Sequence, residues 1–247
     1  MDLFNLSSQN FPFQIPNMEG FRCEFNQDLN GYIINVPNGE IIYIEHFFDK
    51  KISDRTLEYF LENDLFDWKI ANWREFDKES LSNVKFKNIN WHHDKLNMYG
   101  KELFLPRYSA WYGDSDKPYT YSGITLQPNN WNKGLLYIKE QIEKLAMVKF
   151  NSVLMNWYRD GEDYINWHTD AEKELGNNPI IGSINFGATR RFLLRRNDDH
   201  SVKIEFPLKH GTLLIMRGEL QHHWQHSVPK EKKIKETRIN LTFRIIK

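Results

Sequence analysis

The sequence predicts an α+β protein whose C-terminal half closes as an antiparallel barrel or a double-sheet jelly roll, with helices ahead of it. Three observations predict this. From Ser152 onward, short β-branched and aromatic runs follow one another with turn signals between them. Before that point, two stretches carry apolar residues at helical spacing. Finally, 247 residues with 40% hydrophobic and 15% aromatic content can bury a full core as one large domain, or as a domain with an N-terminal extension.

In chain order, residues 1–38 are rich in Asn, Pro, Gln and Phe without clear periodicity and read as an N-terminal arm or loosely packed strands; residues 39–247 read as the domain proper. EIIYIEHFF (40–48) alternates as a strand does. SDRTLEYFLENDL (53–65) opens on a Ser or Asp cap and continues at helical spacing. NNWNKGLLYIKEQIEKLAM (129–147) is the second helix, with Leu135, Leu136, Ile138, Ile142 and Leu145 available for its buried stripe. The strands that follow are VLMNWY, YINWH, PIIGSINFG, RFLLRR, VKIEFPL, GTLLIM and RINLTFRII. There are no repeats and no low-complexity tract.

Composition narrows the function. Cys23 is the sole cysteine, which excludes an internal disulfide framework and argues against a cysteine-based zinc site. Lys and Arg (33) balance Asp and Glu (33), so any attraction to nucleic acid must come from local patches. No apolar run approaches the length of a membrane span, and MDLFNLSSQN has no basic region followed by an apolar one. An intracellular protein, cytoplasmic or nuclear, without a membrane partner is the expectation.

Two constellations carry chemistry. In YINWHTDAEKELG (164–176), His168 and Asp170 stand one residue apart behind an apolar and aromatic run. Alternate side chains of an extended strand share a face, so a neutral nitrogen donor and a hard carboxylate aim at one point, half of a divalent-metal site. A third ligand is expected among His222, His223 and His226 of ELQHHWQHSVP. In RINLTFRII, Arg238, Asn240, Thr242 and Arg244 alternate with Ile239, Leu241, Phe243 and Ile245. That strand packs one face into apolar core and offers two cations on the other. An ordinary solvated face is the bland alternative, but guanidinium pairs bidentately with carboxylate, so the strand is suited to clamp a dicarboxylate.

HTD, then WQHSVP, then RINLTFR resembles the AlkB family of Fe(II)- and 2-oxoglutarate-dependent dioxygenases, closest to the members that repair alkylated DNA. The likeness covers roughly residues 95–247 and is strongest over 152–244. It implies a double-stranded β-helix (jelly-roll) core in the C-terminal half and a nucleotide-recognition lid at about 95–125. It makes His226 the third ligand, since Ser227 and Pro229 follow it in the family's order, and makes His168, Asp170 and His226 the iron ligands. Through VLMNWYRDGEDYINWHTD it places Asn156 and Tyr158 on the co-substrate. Arg238 would hold the distal carboxylate of 2-oxoglutarate with Tyr158 and Asn240; Arg244 and Asn156 would steady the iron-bound end, with Thr242 on the same strand face. IIGSINFGATRRFLLRR resembles the strand pair behind the metal.

The same resemblance puts the lid in PRYSAWYGDSDKPYTYSG (106–123), with Tyr119 and Ser122 near the edge of a flipped base and Tyr121 and His168 on its faces. Tyr99 falls where duplex-acting relatives carry an aromatic finger, and Glu172 where an acidic residue approaches the base. A second H-x-D, His92 and Asp94 in WHHD, lacks a preceding Asn-x-Tyr strand, and His92 and His93 read as surface or nucleic-acid-facing residues. Departures from the pattern bear on the grip on duplex. Ala171 replaces a frequent second acid, the connection RRNDDHSVKIEF is short and holds Asp198 and Asp199, and Glu231 interrupts the basic run PKEKKIKE.

The reaction so implied couples decarboxylation of 2-oxoglutarate, with O2, to hydroxylation of an N-methyl group on a base, releasing succinate and formaldehyde. The expected partner is single- or double-stranded DNA, with RNA as a further option, and the expected state is a monomer. The rival readings are an RNA demethylase or protein hydroxylase using the same iron site, and a non-catalytic nucleic-acid-binding jelly roll.

Overall fold

The structure, a computed structural model, describes residues 11–73, 75–76, 81, 83–98, 101–115, 119–121 and 124–247. Most strands gather into two antiparallel sheets. The larger runs, edge to edge, β1 (Arg22–Asn26), β2 (Gly31–Val36), β3 (Gly39–Ile44), β14 (Leu213–Gly218), β11 (Ile181–Gly187), β16 (Arg238–Arg244), β9 (Ser152–Tyr158) and β6 (Tyr108–Gly113). The smaller runs β10 (Ile165–His168), β15 (Trp224–Val228), β12 (Arg190–Arg196) and β13 (Lys203–Leu208). Two hairpins, β4 (Lys95–Met98) with β5 (Lys101–Phe104) and β7 (Tyr119–Tyr121) with β8 (Ile124–Leu126), stand apart from both sheets.

Strand alternation builds two cores. On β14, Leu213 and Ile215 turn toward the helices, while Leu214 and Met216 turn toward the smaller sheet. The first core lies between the larger sheet and helices α1 (Lys50–Leu61) and α2 (Lys133–Ala146), with Phe60, Leu61, Ile138 and Ile142 against Ile184, Phe186, Leu241 and Phe243. The second lies between the sheets, where Ile34, Ile41 and Ile181 meet Leu194, Ile204, Phe206 and Trp224. That second core is the jelly-roll interior. Each fully buried side chain of this size contributes about 1.5–3 kcal/mol relative to exposure.

Helix boundaries follow their caps. α1 begins three residues before the predicted Ser53, because Asp49 accepts the Ile52 N–H at 2.7 Å. It ends at Leu61 because the Asn63 side chain accepts the N–H groups of Leu65 and Phe66, at 2.9 and 3.0 Å, and turns the chain away. In α2, Asn132 caps Leu135, and Leu135, Ile138, Ile142 and Ala146 form the buried stripe. Leu136, expected in that stripe, is 37% exposed, since it lies about 100° round the helix from Leu135.

Residues 11–36 take part in both sheets. β1 and β2 extend the larger sheet through β3, while Gln14 pairs with Glu205 of β13 through two backbone hydrogen bonds of 3.0 Å. Phe13 is buried with its ring 5.1–5.2 Å from those of Tyr32, Tyr43 and Phe206. Aromatic packing of this kind has no period, which is why the pattern here was mute.

Candidate active site

Pairing of β10 with β15 sets His168 directly opposite His226, with ring centroids 4.2 Å apart. β10 ends at His168, so Asp170 is not brought in by strand alternation as expected. A buried side chain from the short helix α3 (Leu220–His223) does it instead: Gln221 Oε1 accepts the Asp170 N–H at 2.9 Å. Asp170 Oδ1 then lies 4.0 Å from His168 Nε2, and one donor atom from each of His168, Asp170 and His226 falls within 4.8 Å of the others. His168 Nδ1 meets the Asn166 carbonyl at 2.8 Å, so that nitrogen carries the proton and Nε2 keeps its lone pair for a ligand.

The donor set fits a divalent metal. Among the described residues Asp170 Oδ1 is buried without a hydrogen-bond partner, a costly state that a cation would relieve. Burial, with His168 nearby, pushes His226 down to about 3. Burial likewise lowers His168. At Asp170 burial opposes ionisation, but Arg244, aided by His226 and His168, outweighs it and holds the carboxyl well below the usual carboxylate range. Two neutral imidazoles and one anionic carboxylate are the protonation states that metal binding needs. The His168 side chain is 24% exposed against 2% for Asp170, so the triad opens on the His168 side.

β16 supplies the cations. Its register against β9 sets Arg238 beside Tyr158 and Asn240 beside Asn156, so these four face the same way. Arg244 Nη2 donates to Asp170 Oδ2 at 2.8 Å. At the other end Arg238 donates from Nη2 to Asn185 Oδ1 and lies 4.8 Å from the Tyr158 ring, leaving Nε and Nη1 buried without partners. Burial lowers Arg238 to about 10, so it remains a cation at neutral pH. Asn240 donates to Ser183 Oγ at 2.8 Å and accepts from Thr242 Oγ1 at 3.1 Å. One cavity is lined by His168, Asp170, His226, Asn156, Tyr158, Arg238, Asn240, Thr242 and Arg244, closed by Leu154, Phe192, Met216 and Val228.

Other expected residues lie elsewhere. His222 is exposed and His223 faces Glu219 at 3.6 Å, both on α3 and outside the triad. His92 is exposed, and Asp94 accepts from the Ser109 hydroxyl, so the second H-x-D joins no ligand group among the described residues. Glu172 is half-buried and does not line the cavity. The backbones of Tyr119 and Tyr121 form β7; Tyr99 and Ser122 lie outside the described residues. A second cavity, of about 230 Å³, adjoins the first at His168 and is bounded by β5, Arg107 and the stretch Tyr164 to Trp167.

Sequence reasoning missed Gln221, Asn185, Ser183 and Arg107. Ser183 and Asn185 did leave a trace, two polar residues alternating inside the apolar run IIGSINFG. Arg107, whose Nε donates to Asn156 Oδ1 at 2.8 Å, and Gln221 act across long sequence distances and leave none.

Comparison with known proteins agrees with this geometry. Residues 40–244 match the 2OG-Fe(II) oxygenase superfamily. The bovine alpha-ketoglutarate-dependent dioxygenase alkB homolog 3 is 50% identical over 150 residues, covering 57% of this chain and 52% of the relative. Its human counterpart is 48% identical over the same shares. The human DNA oxidative demethylase ALKBH2 is 40% identical over 159 residues, 62% of this chain and 61% of the relative. The chain thus aligns with about half the length of the alkB homolog 3 proteins. With the ligand triad, the paired arginines and the match over 40–244 together, the chain belongs to the 2OG-Fe(II) oxygenase superfamily and is an AlkB-family member of it.

Proposed function

We propose that this chain is an Fe(II)- and 2-oxoglutarate-dependent dioxygenase that oxidatively demethylates N-alkylated bases of the 1-methyladenine and 3-methylcytosine type in DNA. The observation that carries the reading is the meeting of a two-histidine, one-carboxylate triad and two buried guanidinium groups on one cavity. His168, Asp170 and His226 would hold the iron. Arg238, with Tyr158 and Asn240, would take the distal carboxylate of 2-oxoglutarate; Arg244 and Asn156, with Thr242 beside them, would steady the other end. The relatives named as a dioxygenase and a DNA oxidative demethylase support the same substrate class.

When bound, the iron with 2-oxoglutarate and O2 supplies an oxidant for a C–H bond, at the expense of decarboxylation to succinate. The protein's own groups prepare that step. Arg244 keeps Asp170 ionised and oriented, and burial keeps both histidines neutral. The two open N–H groups of Arg238 offer an anion a site that is already out of water. Leu154, Phe192, Met216 and Val228 exclude solvent from the centre. Hydroxylation of an N-methyl group gives a hemiaminal, which releases formaldehyde and the repaired base.

Tyr121 and His168 would stack on the flipped base, Tyr119, Ser122 and Glu172 would meet its edge, and Tyr99 would fill the vacated stack. The partner is single- or double-stranded DNA, with RNA as an alternative, and the protein acts as a monomer in the nucleus or cytoplasm. The test is mass spectrometry of methylated single-stranded, duplex and RNA oligonucleotides after incubation with Fe(II), 2-oxoglutarate and ascorbate. Loss of the methyl group with succinate formation is expected. Succinate formation that no oligonucleotide stimulates would turn the reading toward a protein hydroxylase, and no turnover at all toward a binding module.

A further inference from the structure

Asn185 of β11 does not line the cavity of the site, yet it holds two residues that do. Its Oδ1 accepts from Arg238 Nη2 and, at 3.2 Å, from Asn240 Nδ2. Strand register explains the reach: Asn185 is paired with Asn240 across β11 and β16, and Arg238 is paired with Gly187, two residues along on the same face. The donor end of the amide is tied as well. Asn185 Nδ2 donates to the Thr212 carbonyl at 3.2 Å, and the Asn185 backbone N–H donates to the same carbonyl at 3.1 Å. Thr212 is fully buried, and its hydroxyl donates to the Glu45 carbonyl just past β3 at 2.9 Å and accepts the Lys209 N–H at 3.1 Å. A carbonyl on one side and a guanidinium on the other leave a single orientation for the Asn185 amide, and at 1% exposure water does not compete for it. Arg238 is therefore tethered to a point that the rest of the fold has already fixed.

We propose that Asn185 is a positioning residue that sets the length of the dicarboxylate the cavity accepts. The inference rests on the assignment of Arg238 to the distal carboxylate made above. A guanidinium recognises a carboxylate through a planar fork, so the place of the far carboxylate is decided by where that plane stands. An arginine side chain has several rotatable bonds, and burial by itself does not choose among them. Tyr158, with its ring 4.8 Å from the guanidinium, holds the plane from one face. Asn185 takes the Nη2 end and stops the group from advancing toward the metal triad or retreating from it. The cavity is thereby committed to one chain length between its two carboxylate sites. Without Asn185, Arg238 can move to meet a diacid one carbon shorter or longer, and it must be ordered anew each time an anion binds.

The test is calorimetric titration of the Mn(II)-loaded full chain with 2-oxoglutarate, with oxaloacetate, one carbon shorter, and with 2-oxoadipate, one carbon longer. Wild type should bind 2-oxoglutarate more tightly than either of the others. Asn185→Ala should weaken 2-oxoglutarate by roughly three- to tenfold, the cost of ordering one freed arginine, and should weaken the other two diacids less, so that the preference narrows. Asn185→Asp is closest to the native shape but should bind 2-oxoglutarate more weakly than Asn185→Ala, because its carboxylate takes Arg238 as its own counter-charge. Affinity for Mn(II) should be unchanged in both variants, since the partners of the Asn185 side chain are Arg238, Asn240 and Thr212 and not the triad. Equal weakening of all three diacids, an Asn185→Asp variant milder than Asn185→Ala, or loss of Mn(II) affinity would each overturn the positioning role in favour of a general support of the fold. A wild-type chain that binds none of the diacids, or an Arg238→Ala variant that binds them as wild type does, would overturn the co-substrate assignment itself, and the inference with it.

Discussion

Arg238 and Arg244 sit on one strand face and have different partners, so their loss should read differently. Arg244 donates to Asp170 Oδ2 through Nη2, while Arg238, at the far end of the strand face, donates to Asn185 and lies against Tyr158. Arg238→Ala should raise the 2-oxoglutarate requirement on the order of a hundredfold or more, since a buried carboxylate would lose its counter-charge, a loss of about 3–5 kcal/mol. Titrating the co-substrate against metal-loaded protein by calorimetry checks this, and unchanged affinity would refute the clamp. Alanine at His168, Asp170 or His226 should abolish both metal retention and 2-oxoglutarate turnover, while alanine at His222 should leave them. Metal analysis of the purified variants separates these outcomes. The histidines also set a pH dependence for the metal-free protein. His226 is pushed down to about 3 in the folded state, below its unfolded value of about 6.5, so its contribution to stability is full above the unfolded value and lost as pH falls toward the folded one. Melting temperature of the metal-free protein should therefore drop between about pH 7 and 5, and His226→Asn should reduce that drop.

At the scale of elements, the join between α2 and β9 shows how a strand of the site is anchored. The Glu143 carboxylate takes Lys139 at 2.8 Å, Lys149 at 2.9 Å and the Phe150 N–H at 2.8 Å, just before β9 begins at Ser152. Burial opposes its ionisation, but these three donors outweigh burial and hold it below the usual carboxylate range. Glu143→Ala should cost about 1–3 kcal/mol, mostly by leaving the Phe150 N–H unpaired, and denaturant melts will show it. Elements of this kind divide sharply in legibility. β16 could be read whole, because a period of two with Ile239, Leu241 and Phe243 on one side and Arg238, Asn240 and Arg244 on the other admits one arrangement. The start of α1 could not, since Asp49 and Ser53 are equally good caps and only the fold chooses. The closing of the triad was half legible: His168 and His226 meet by strand register, but Asp170 depends on Gln221, fifty-one residues away.

Across the whole molecule, the unread part was topology. Nothing in the chain order announces that residues 22–36 join the sheet that β16 completes, or that Gln14 pairs with the outer strand of the smaller sheet. Phe13→Ala should consequently cost about 3–5 kcal/mol, as expected for emptying a buried aromatic site, and chemical denaturation measures it directly.

The position of β16 has a kinetic consequence. It follows every other described strand in sequence and sits inside the larger sheet, hydrogen-bonded to β11 on one side and β9 on the other. Until it is synthesised, β6 and β9 have no partner that links them to β11, β14 and the strands beyond, and the face of β9 that carries Asn156 and Tyr158 has nothing to close against. The contacts that finish the sheet are distant in sequence and must wait until Arg238–Arg244 has been synthesised, so folding of this sheet should be slow. A nascent chain halted before Arg238 would carry His168, Asp170 and His226 and still expose a row of unpaired strand edges, making it a substrate for chaperones before its cavity can close.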